Sequence, residues 1–246
     1  MPATNLVRYN ELEYLNFTMP NGGTIALTRR GTGSVRRYLY YTKNGKTWTS
    51  WSFSANAGQY GNGQYTPITM QPGEKIWIRN DSETSTGFSA GSANHFQFEF
   101  SNTVYAAGNV MSLKCRYPNV AYGGAYSFCK LFMDCTTLIT PPEILTSYAP
   151  QGFAYCMFQR CSNLEYAPEL HMTNINTNGY CYYYMFQGCT KINMVKLHAT
   201  SFPTANCTTN WLSGVASTGD IWCPSSLNLA NNSVSGIPQG WTRHDL

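Results

Sequence analysis

In the second half of the chain the apolar positions fall into blocks that repeat. Leu131, Phe132, Cys135 and Leu138 are matched by Met157, Phe158, Cys161 and Leu164, and again by Met185, Phe186, Cys189 and Ile192. Each block reads apolar-Phe-x-x-Cys-[Ser/Thr]-x-[Leu/Ile], at spacings of 26 and 28 residues. A degenerate fourth copy, Trp211-Leu212-Ser213-Gly214-Val215, follows 26 residues on. A period of this size marks stacked supersecondary units, a solenoid, because one such unit cannot bury its own apolar face.

Within a unit the pattern predicts a short helix, a tight turn and a short strand. Tyr182, Met185, Phe186 and Cys189 stand at i, i+3, i+4 and i+7, one face of a helix. Phe128, Leu131, Phe132 and Cys135 occupy the same places in the first unit, and Ala154, Met157, Phe158 and Cys161 in the second. The Ser/Thr after the Cys ends the helix, since its hydroxyl competes for backbone groups. Alternating residues follow, such as Val195 and Leu197 or Ile221 and Cys223, the period of a strand. After Val215 the chain turns to Ser, Asn, Gly and Pro, which predicts a terminal cap from about residue 207.

The first half follows another rule. From about residue 12 to 110, short apolar and aromatic runs alternate with turn signals: Tyr14–Met19, Thr24–Leu27, Arg37–Tyr41, Lys46–Trp51, Thr66–Met70, Lys75–Arg79 and His95–Phe100. Asn44-Gly45 between two such runs is a strong hairpin signal. Strands at this spacing predict an antiparallel β-sandwich. The expected fold class is therefore α+β: a β-sandwich over residues 1–110, then a repeat domain over 111–246.

Composition narrows the picture. Of 246 residues 43% are hydrophobic, enough for a core, but only 11% are charged, less than half the usual ~25%. Neutral polar residues and 18 Tyr replace the charges, which suits rigid assemblies and contacts with sugars or proteins. Seven of the nine Cys lie from Cys129 to Cys207 at repeat positions, with no Cys-x-x-Cys pair. They are expected to be reduced and buried, packing as small hydrophobes. No run of 18 apolar residues spans a membrane, and Met1–Arg8 has no apolar signal core.

The repeat, carried by Met185-Phe-Gln-Gly-Cys-Thr190 and Tyr166-Ala-Pro-Glu-Leu170, resembles BspA-like leucine-rich repeats. So do Asn206–Gly219 and Ser235-Gly-Ile-Pro-Gln-Gly-Trp241, and the leading region with Asn44–Trp51 and Gln71–Arg79 is similar to the module that precedes such repeats. Lys196 stands where the other units have Pro142 and Pro168. The resemblance implies a leucine-rich-repeat solenoid with no catalytic residues, of a type found on surface adhesins of gut Bacteroidales and in structural genes of their phages. It implies a non-enzymatic phage virion surface or structural protein: a decoration, fibre or receptor-contacting subunit. The alternatives are a bacterial cell-surface adhesin whose signal peptide is absent and, third, a glycan-active enzyme. The expected partners are other virion proteins or a second copy of the chain, with a host-surface glycan or protein besides. Neither nucleic acid nor membrane insertion is expected.

No catalytic, metal or cofactor residues are expected. His95, His171, His198 and His244 include no His-x-x-x-His pair, and the glycine-rich stretches lack the Lys-Ser/Thr of a phosphate loop. Glu165 and Glu169 read as solvated charges on a strand. Two features rise above this background. Between Glu13 and Glu74 no acid occurs, while Arg29, Arg30, Arg36 and Arg37 cluster; they are candidate assembly contacts with an acidic partner. Tyr60 and Tyr65 flank or lie in a Gly/Gln/Asn-rich loop and, with the outward strand residues Glu165, Asn193 and Lys196, are candidate ligand contacts.

Overall fold

The structure, a computed structural model, describes residues 14–31, 37–55, 63–82, 88–89, 91–117 and 124–246. The first half forms the short strands that the alternation predicts. It contains β1 (Leu15–Met19), β2 (Gly23–Arg30), β3 (Leu39–Thr42), β4 (Thr49–Ser50) and β5 (Phe53–Ala55). It continues with β6 (Gly63–Tyr65), β7 (Ile68–Met70), β8 (Glu74–Asn80), β9 (His95–Phe100) and β10 (Val104–Ala107). One antiparallel sheet holds β10, β1, β8, β3 and β4 in that order; the other pairs β2 with β9 on one side and with β6 and β7 on the other. Leu15, Phe17 and Met19 of β1 and Ile76 and Ile78 of β8 point inward. Across the gap Phe17 meets Phe98 and Phe100 of β9, both at 5.0 Å edge-on. The Asn44-Gly45 hairpin forms: Gly45 takes φ 69° and the Asn44 side chain accepts from the amides of Lys46 and Thr47, both at 2.9 Å.

The second half is a solenoid of about four turns, and here the expectation of helices fails. Among the described residues the only helical pieces are two 3-10 turns, Val110–Leu113 and Ala205–Cys207, so the chain is almost wholly β rather than α+β. The segment from Tyr126 to Cys135 makes no i→i−4 bonds. Its amides alternate between two partners. Those of Cys129, Leu131, Met133 and Cys135 donate to the carbonyl three residues back, while those of Phe128, Lys130, Phe132 and Asp134 donate across to Phe153, Tyr155, Met157 and Gln159 of the next coil. Ala154, Cys156, Phe158 and Arg160 then donate to the third coil, and Tyr182, Tyr184, Phe186 and Gly188 to the fourth, at 2.7–3.0 Å. Every fourth residue (Tyr126, Lys130, Asp134; Gly152, Cys156, Arg160; Tyr180, Tyr184, Gly188) takes a left-handed φ of 54–76°. Consecutive four-residue turns bury the same i, i+3, i+4, i+7 positions as a helix, which is why the apolar pattern could not separate the two.

The strand side of each coil stacks in parallel. Strand β11 (Leu138–Thr140) adds to β10 in the first sheet. The ladder then runs through single bridges Ile144–Leu170 and Leu170–Leu197 to β14 (Met194–Lys196), β15 (Gly219–Cys223) and β16 (Trp241–Asp245). A third side carries the parallel pair β12 (Tyr148–Ala149) and β13 (Asn174–Ile175). The first coil is also bound to the second sheet: the Phe98 amide donates to Leu131 at 2.8 Å, and Gln97 Nε2 to Met133 at 2.5 Å. At the far end, the amides of Asn210 and Leu212 donate to Ser235 Oγ and the Val234 carbonyl, and Trp211 Nε1 donates to Gly236.

One core therefore runs through the molecule. Phe98, Phe132, Phe158 and Phe186 form a stack with centroids 5.4, 5.5 and 5.8 Å apart and rings within 13° of parallel. Beside it runs a file of thiols. Cys135 donates to the Phe98 carbonyl at 3.1 Å, Cys161 to Phe132 at 2.9 Å and Cys189 to Phe158 at 3.0 Å. A Cys fits here because it is small, apolar and carries one weak donor for a carbonyl lone pair that would otherwise be idle. All nine cysteines are buried and remain thiols.

Truncating the middle of the stack, Phe158→Ala, is expected to cost about 3–5 kcal/mol in urea unfolding. A loss under about 1 kcal/mol, the scale of an ordinary surface change, would show that the ring is not core. The thiols should resist labelling in the native state, because burial raises Cys135 and Cys161 well above the free value and Cys189 to about 12. Prompt modification of these three without unfolding would contradict that placement.

Candidate functional site

The strand side of the solenoid presents alternate residues outward. Leu170 and Leu197 are fully buried, which turns their neighbours Glu169, His171, Lys196 and His198 to the surface. Together with the end of β10 and the Pro141-Pro142 turn, Glu169, His171 and Lys196 border a groove of about 440 Å³. Its walls carry unusually exposed apolar side chains: Tyr166 at 45%, Met194 at 48% and Leu145 at 37%. Glu143, Glu169, His171 and Lys196 supply polar groups along the same groove.

Glu169 is the centre of its polar end. Its Oε1 lies 2.5 Å from His198 Nε2, 3.0 Å from Lys196 Nζ and 3.9 Å from His171 Nδ1. The hydrogen bond from His198, then that from Lys196, holds the carboxyl below its ordinary value despite partial burial. The two imidazoles stack at 5.4 Å and 14°. The Leu170–Leu197 bridge sets this geometry, because it places the following residue of each coil side by side. Further along the face Trp222 stacks on His244 at 4.3 Å, and His244 Nε2 lies 2.6 Å from Asp220.

The residues singled out from sequence separate into several groups. Lys196 lines the groove, and Asn193 is exposed beside a second, shallower depression near Gly219 and Thr242. Glu165 is exposed, while Leu164, Ile192 and Val195 are buried as the alternation requires. Tyr65 is not a surface contact. It is fully buried, its ring packs 5.0 Å from Trp51, and its hydroxyl donates to the Arg37 carbonyl at 2.5 Å. Tyr60 and Arg36 lie outside the described residues. The three described arginines of the basic stretch differ in their surroundings. Arg29 shares the inward parity of Ile25 and Leu27 and is 3% exposed, and Arg37 Nε donates to the Phe88 carbonyl at 3.0 Å. Arg30 is exposed and paired with Glu99 at 3.0 Å, and Arg37 is partly exposed; Trp51 packs between the sheets.

Sequence reasoning passed over His171 and His198. The signal was present as Glu-Leu-His at 169–171 and Lys-Leu-His at 196–198, the same register of two successive coils. No family, curated protein or solved structure matches this chain.

The depressed carboxyl of Glu169 has a pH consequence with a definite sign. Its contribution to stability is fully present above the ordinary value of 4.5 and is lost as pH falls through the lower folded value. Glu169→Gln is therefore expected to be less stable than wild type at neutral pH, with the two unfolding midpoints converging as pH drops below 4.5. Midpoints that keep a constant offset across that range would assign the effect to packing instead.

Proposed function

We propose that this chain is a non-enzymatic surface or structural protein of a virion, which engages a partner through the strand side of a BspA-like repeat solenoid. The observation that supports the reading best is the groove. A large aromatic, Tyr166, and the apolar Met194 and Leu145 stand exposed on coils joined by single bridges and the β14–β15 ladder. Amphipathic aromatics beside a few polar groups on a rigid support are the usual make-up of a recognition surface. The amide-, hydroxyl- and tyrosine-rich composition with few charges favours a neutral glycan or a polar protein face over nucleic acid. The repeat motif and its capped, stacked coils support the adhesion-type family that the sequence resembles.

Two measurements test this. Mass spectrometry of purified particles should find the chain at a fixed copy number per particle. On an array of host-envelope glycans, Tyr166→Ala is expected to weaken binding at least about tenfold, as loss of a central aromatic contact does. Binding unchanged in Tyr166→Ala would remove the groove from the role, and absence from particles would remove the virion.

A further inference from the structure

We propose that Glu169, His171 and His198 form a binding site for a divalent transition-metal ion, with zinc the best fit. The three donor atoms, Glu169 Oε1 with one ring nitrogen of each His, lie within 4.8 Å of one another. Two atoms bonded to one tetrahedral zinc at 2.0–2.2 Å stand about 3.4 Å apart. The widest gap must therefore close by up to about 1.4 Å and the Glu169–His198 contact must open, which partly exposed imidazoles achieve by turning about their broad χ2 torsions. Two imidazoles and a carboxylate are the ligand set of zinc, cobalt and nickel; calcium and magnesium prefer oxygen alone.

The backbone supports the site rather than the side chains alone. Each His follows a fully buried leucine, and those leucines are bridged across adjacent coils. The imidazoles are thereby held in one column at a stacking distance of 5.4 Å, with Glu169 two residues from His171 on the same outward face. Three protein ligands leave zinc a fourth position. Because Glu169 and His171 line the groove, that position faces the groove and can take water or a carboxylate, imidazole or hydroxyl from outside. One group opposes the ion: Lys196 Nζ, 3.0 Å from the same carboxylate oxygen. Metal entry displaces this ammonium.

The inference stands apart from the virion reading, because it is tested by binding of the ion alone. The whole chain, cleared of metal with a chelator, is titrated with zinc chloride by calorimetry, and with cobalt(II) by its visible absorption. One saturable ion per chain is expected. His171→Ala and His198→Ala should each weaken binding by at least about tenfold, since losing even a supporting residue costs 10–100-fold. Lys196→Met should tighten it severalfold by removing the competing cation. Unchanged melting temperatures would confirm that these half-exposed substitutions leave the fold intact. No saturable binding by the wild-type chain overturns the proposal. So does binding that survives both His substitutions and disappears when the thiols are blocked, which would place the ion on the cysteines.

Discussion

Every other amide in the turn runs points along the solenoid axis, and this one constraint governs the molecule. A buried N–H without a partner costs about 1–3 kcal/mol, so each coil needs a neighbour that offers carbonyls at the same height. Coils two and three find such neighbours in one another and in their flanking coils. The ends need special solutions. On one side β9 acts as a coil in advance of the first: its Phe98 begins the ring stack, its carbonyl takes the Cys135 thiol, and its amide bonds Leu131. On the other side Val234 and Ser235 receive the last amides. The two-sheet region is thus the template on which the solenoid is laid.

The same constraint explains the composition of the repeat. With the ladder supplying the backbone bonds, the interior is left to rings and thiols that stack with identical partners above and below. The left-handed position every fourth residue is filled by Gly152, Gly188 and Gly214, but also by Lys130, Cys156, Arg160 and Tyr184. A non-glycine there carries roughly 1–2 kcal/mol of backbone strain, which the cross-coil bonds and the buried rings must offset. The outward faces carry no such burden, and the groove and the Glu169 cluster lie there.

Much of this was legible in the sequence, for identifiable reasons. The period, the buried positions and the Asn44-Gly45 hairpin were readable because each follows from local spacing. The turn runs were not, because Phe128, Leu131, Phe132 and Cys135 are buried alike in a helix and in consecutive turns; the glycines at 188 and 214 were the contrary sign. Arg29 and Tyr65 were misplaced because parity decides whether a strand residue faces in, and neither residue type announces that it is buried. The His171–His198 pair became visible only when coils were laid over one another in register.

An interior coil accepts on its carbonyls and donates from its amides with the geometry of its neighbour, so it is interchangeable with the next. The two ends are not: β9 and the segment around Val234 each solve a problem that occurs once. Length in such a design is a free variable only in the middle. Copying or deleting one interior coil would move the far end by about 4.8 Å, the spacing of paired strands, without disturbing either terminus of the stack. The reach of the outward face is therefore adjustable in whole steps by a single genetic duplication, while its anchoring to the sheets stays the same.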